Sequence, residues 1–64
     1  MVNGTKIKEL MAKKSITNRE LAKSVGISEP MMCYVTQELR EPTVTVLARI
    51  AVKLGCTVDE LIKH

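Results

Sequence analysis

Cys33, Cys56 and His64 are the only thiols and the only imidazole in the chain, and their placement suits neither a metal nor a nucleophile. Zinc is held by C-x-x-C pairs or by cysteines joined with further histidines, and no such spacing occurs here. No Ser/His/Asp or Cys/His set, Gly-rich phosphate loop or paired-carboxylate cleft is legible. Asp59 and Glu60 adjoin, but they fall in the first turn of an expected helix, where acids favour the macrodipole. The expectation is therefore a protein that is not an enzyme, with no cofactor, no metal and no small-molecule ligand. A Cys33–Cys56 disulfide is compatible with the sequence, but two reduced thiols are expected in a cytosolic protein.

The chemistry that remains is recognition by shape and charge. Residues 17–36 read as two short helices joined by a tight turn at Gly26. Leu21, Ala22, Val25, Ile27, Met32 and Val35 fall where such a pair needs its shared inner face. This is a helix-turn-helix, which holds its second helix proud of the body, where it can enter a DNA groove. The net charge of +3 is unevenly spread. Residues 1–28 hold six Lys or Arg against two Glu, whereas residues 29–64 hold four against five acids. That balance permits nucleic-acid binding without demanding it.

The elements that must position this pair are all helical. Sixty-four residues make one domain, 1–64, close to the lower size limit for independent folding. With aromatics at 2% and hydrophobics at 45%, the core must be aliphatic. No apolar run reaches a membrane span and no signal-peptide pattern opens the chain, so a soluble cytoplasmic protein is expected. Five helices are expected, at about 5–14, 18–25, 29–37, 44–54 and 58–63. Thr17 with Glu20, and Thr57 with Glu60, fit the capping box, while Ser28 supplies a third N-cap. Ile16 with Leu21, Ile27 with Met32 and Cys56 with Leu61 fit the hydrophobic staple. Gly26 and Gly55 stand where a left-handed residue ends a helix, and Pro30 falls in a first turn that tolerates it. Val46, Leu47, Ile50, Ala51 and Leu54 make a buried stripe, and Met11, Met31 and Met32 read as core or rim.

Residues 4–62 resemble the helix-turn-helix domain of the phage repressor and Cro family, an all-α, compact five-helix, lambda-repressor-like fold. The resemblance rests on Lys6-Ile-Lys-Glu-Leu10, Leu21-Ala22, Val25-Gly26-Ile27-Ser28 and Pro42. It continues through Leu47, Ile50-Ala51, Leu54-Gly55 and Val58-Asp59-Glu60-Leu61. Each fragment is weak alone, but their order and spacing over nearly the whole chain are specific. The family implies a homodimer that binds a palindromic double-stranded DNA operator and regulates transcription, here as a Cro-like repressor. It implies base contacts from Glu29, Pro30, Cys33 and Tyr34. Phosphate contacts would come from Thr17, Asn18, Ser28, Gln37, Arg40 and Thr43. Val58 and Ile62, beside the fifth helix, are the candidate dimer contacts.

Departures from the family pattern sharpen the expectation. Base-reading positions there are usually Gln, Arg, Ser, Asn or Lys, where this chain has Glu, Pro, Cys and Tyr. Glu29 can accept from cytosine N4, and Pro30 and Cys33 can meet thymine methyls. The family's partly buried Arg–Glu pair is replaced by Met11 and Thr36, a change a fold tolerates. Glu38 stands where the family has Gly, which implies a different path out of the third helix. The acidic and apolar face of Glu29, Met31, Cys33 and Tyr34 also suits a second function: a protein-binding module of anti-repressor or antitoxin type.

Overall fold

A side-chain cap opens each of the four α-helices. In the computed structural model, which describes residues 1–63, α1 is Gly4–Lys14, with Asn3 Oδ1 accepting from the Lys6 N–H at 3.1 Å. Thr17 Oγ1 accepts from the Glu20 N–H at 3.1 Å and opens α2, Asn18–Val25. Ser28 Oγ accepts from the Met31 N–H at 3.2 Å and opens α3, Glu29–Thr36. Thr43 Oγ1 accepts from the Val46 N–H at 3.2 Å and opens α4, Val44–Leu54. Each cap satisfies a donor that the first helical turn would otherwise leave free. Gly26 (φ +79°) and Gly55 (φ +70°) end α2 and α4 in the left-handed conformation.

Where a fifth helix was expected over 58–63, the chain makes a single 3-10 turn, Asp59–Leu61. The Thr57–Glu60 capping box does form: Thr57 N–H donates to Glu60 Oε2 at 2.8 Å, and Glu60 N–H to Thr57 Oγ1 at 3.3 Å. Helix propagation stops because Ile62 goes extended and pairs with the N-terminal segment. Asn3 N–H donates to the Leu61 carbonyl and Lys63 N–H to the Met1 carbonyl, both at 2.7 Å. Backbone pairing with residues 1–3 thus takes the groups that another helical turn would have used.

The core draws on every element. Val2, Ile7, Leu21, Met32, Ile50 and Leu61 are fully buried, with Val25, Val35 and Leu54 beside them. Ile16, Ile27 and Cys56, the outer staple partners, are half-buried against this cluster. Met11 and Thr36 are both buried, and the Thr36 hydroxyl donates to the Cys33 carbonyl at 3.0 Å, so the site of the family's ion pair holds no unsatisfied group. α3 and α4 each pack on α2 and on α1. Arg49, on α4, reaches the last carbonyl of α2, with Nη1 donating to Val25 O at 3.5 Å. Among the described residues, no helix is long and apolar enough to cross a membrane.

Candidate nucleic-acid interface

Successive residues of a helix turn by about 100°, so residues four apart share a face. On α3 this spacing divides the side chains cleanly. Met32, Val35 and Thr36 point into the core, and Met31 lies at its edge. Glu29, Pro30, Cys33, Tyr34 and Gln37 fall on the opposite arc, all exposed except the half-buried Cys33. Tyr34 is 46% exposed and stands clear of the core. The structure thus brings the four expected base-reading residues together on one outward face. Gln37, expected at the backbone, lies on the same arc and donates from Nε2 to Cys33 Sγ at 2.9 Å.

The two helix starts differ in what they offer an anion. At α2, the Thr17 hydroxyl is engaged twice, accepting from the Glu20 N–H and donating to Glu20 Oε1 at 3.1 Å. Asn18 and Arg19 follow in the first turn, where backbone N–H groups have no intrahelical partner and the dipole is positive. At α3, Ser28 already fills one donor, Pro30 has none, and Glu29 adds a negative charge. Both starts have one capped donor and an acid in the first turn, but only α2 has no proline there and carries a cation, Arg19, so it suits an anion better. Glu29 sits where its charge favours the α3 dipole.

The loop after α3 is held by two carboxylates that the sequence did not mark as anchors. Glu38 adopts φ +63°, the left-handed conformation that a glycine would supply. Glu38 thus takes the backbone conformation of the glycine it replaces, and it gains contacts that offset the strain. Its Oε2 accepts from the Gly4 N–H at 2.9 Å, and its Oε1 pairs with Lys63 Nζ at 2.6 Å. The Lys63 hydrogen bond, then the Gly4 N–H, hold the Glu38 carboxyl below the usual carboxylate range. Glu41 takes the Val2 N–H on both oxygens, at 2.9 and 3.0 Å. Between these anchors Arg40 is exposed, and Thr43 caps α4. Arg40 is thus an exposed cation on a loop tied at both sides, beside the C-terminal end of α3.

Val58 and Ile62 are both half-buried, packed against the core, and Ile62 also pairs through its backbone with Val2. Each keeps only part of its surface for a second copy. Cys56 is half-buried, and desolvation, with the nearby Glu60 charge, pushes its thiol up. Sequence signals for the missed anchors did exist: Asn3 precedes a helical run, and an acid in place of glycine at 38 marked a backbone that needed compensation.

With this geometry in place, known proteins supply a frame. A model of the Cro/C1-type helix-turn-helix DNA-binding domain matches residues 6–64. The chain belongs to that family. The clp gene regulator ClgR from Corynebacterium glutamicum is similar in structure, with a TM-score of 0.83 and 26% identity over 89% of this chain. SinR, solved in a SinR protein/SinI protein complex, has the same fold, with a TM-score of 0.87 and 23% identity over 100% of this chain. The chain spans 61% and 62% of the lengths of those two chains. A comparison with curated protein sequences found no match. As a Cro/C1-type domain, the chain is a DNA-binding helix-turn-helix with α2 and α3 as its two helices.

Proposed function

We propose that this domain is a sequence-specific transcriptional regulator, a Cro-like repressor that lays α3 in the major groove of a palindromic operator. The observation that carries the reading is the outward arc of α3, whose side chains stand free of the core over the helix's full length. In this reading Glu29, Pro30, Cys33 and Tyr34 meet base edges, by acceptance from cytosine and by apolar contact with thymine methyls. The first turn of α2, with Thr17 and Asn18, seats a phosphate. Ser28, Gln37, Arg40 and Thr43 border the backbone on either side of α3. Such contacts fix register, while the base contacts specify sequence. The similarity to a gene regulator agrees with a role in transcription.

Size supports a homodimer on a palindromic operator. The longest dimension of the chain is 27 Å. Successive major grooves on one face of DNA are about 34 Å apart, so one copy reaches a single half-site. Val58 and Ile62 are the proposed contacts, through the surface they keep outside the core. The protein would act in the cytoplasm, where its operator lies, and would catalyse no reaction.

One observation favours a second reading, a protein-binding module: the outward face of α3 carries the acid Glu29 and no cation. Fluorescence anisotropy with labelled duplexes at several salt concentrations separates the two. DNA reading predicts affinity that falls steeply with salt, by a log–log slope of about −0.9 per contacted phosphate. No binding to any duplex at low ionic strength would leave the protein-binding reading in its place.

A further inference from the structure

The two most exposed large apolar side chains both lie on α4. Val44 and Val52 are 79% and 82% exposed, and the half-buried Ala48 lies between them at four-residue spacing. The three make one stripe about 12 Å long, two helical turns. Valine is a poor residue for such positions, because its branched side chain loses rotamer freedom in a helix. At these exposures the loss is offset by no burial within the chain. Beside the stripe, a shallow groove of about 400 Å³ opens between α2 and α4, lined by Ser24, Ala48, Arg49, Val52 and Lys53. Its only charges are the two cations.

We propose that this α2–α4 groove docks an acidic amphipathic helix of a partner protein. The apolar stripe fits a row of aliphatic side chains, and Arg49 and Lys53 fit carboxylates flanking that row. Arg49 is tethered by one N–H to the Val25 carbonyl, and a guanidinium has five donors, so others remain for a carboxylate. A second copy of this chain fits poorly. Two-fold pairing on the stripe would gather Arg49 and Lys53 of both copies into one interface, with no acid in the lining to offset them. No residue of α3 lines the groove, so docking there leaves the reading face of α3 open.

The test uses a 14-residue helical peptide with leucines on one stripe and glutamates elsewhere, and a scrambled peptide of the same composition. Titration of the ¹⁵N-labelled chain should shift amides at Ser24, Ala48, Arg49, Val52 and Lys53, leaving those of α3 in place. The scrambled peptide, and the Val52→Glu and Lys53→Glu variants, should each weaken binding by about tenfold. Thermal unfolding of both variants checks that they remain folded, as expected for exposed sites. Equal binding of the scrambled peptide, undiminished binding by Val52→Glu, or shifts confined to α3 would overturn the proposal. So would groove shifts caused by a duplex of operator length, or a dimer of the free chain that Val52→Glu dissociates.

Discussion

Tyr34 and Arg40 show how residues close in sequence can do separable work. Tyr34 stands on the outward arc of a rigid helix, whereas Arg40 lies on a loop whose ends are tied by Glu38 and Glu41. Tyr34→Ala should relax preference at one or two base pairs, costing about 1–3 kcal/mol at those positions. Arg40→Ala should weaken all duplexes alike, and a changed preference would remove its phosphate assignment. Both are read by anisotropy on a panel of single-base operator variants. Glu38 belongs to stability instead. Folding lowers its carboxyl below the ordinary 4.5, so folded protein binds that proton more weakly than unfolded chain. Its contribution is complete above the ordinary carboxylate range and is lost as pH falls through its lowered value. Glu38→Gln should therefore lower the melting temperature at pH 7 and have much less effect at pH 3. The outward residues of α3 were legible because Met32 and Val35 mark its inner face by helical spacing and the family resemblance supplies the outward positions. Glu38 and Glu41 were not, since their partners are backbone N–H groups more than thirty residues away.

At the scale of elements, local signals that act within four residues could be read, and those depending on distant chain could not. Thr17, Ser28, Gly26 and Gly55 start and stop helices by short-range hydrogen bonds and backbone preference, and all do so in the structure. The last element differed because Ile62 and Lys63 meet residues 1–3, a pairing with no local signature. Gly4 marks another long-range constraint. A Cβ added there would collide with the Thr36 carbonyl oxygen, where the start of α1 crosses the end of α3. An Ala for Gly change within a helix normally stabilises, by about 0.5–1 kcal/mol. Here Gly4→Ala should instead cost about 1–3 kcal/mol, as overpacking does, in a denaturant titration. A neutral or stabilising result would mean that the α1–α3 crossing gives way freely.

For the whole molecule, an aliphatic core holds α3 so that its inner face is consumed and its outer face is left to a ligand. That core is small, so removing one large member should be felt throughout. Met32→Ala, at a fully buried position on α3 itself, should cost about 2–5 kcal/mol and weaken every duplex by depleting folded protein. The basic surplus in residues 1–28 and the near-neutral remainder were visible in composition. What composition could not show is which cations border α3 and which, like Arg49 and Lys63, are engaged within the fold. The central claim is that α3 reads duplex sequence, once per copy, from two copies related by a two-fold axis. Selection of bound sequences from a random duplex library at low ionic strength tests it most directly. The account predicts enrichment of an inverted repeat with half-site centres about 34 Å apart, altered at specific positions by Tyr34→Ala. A pool that stays random, or a motif unchanged by every substitution on the outward face of α3, would contradict it.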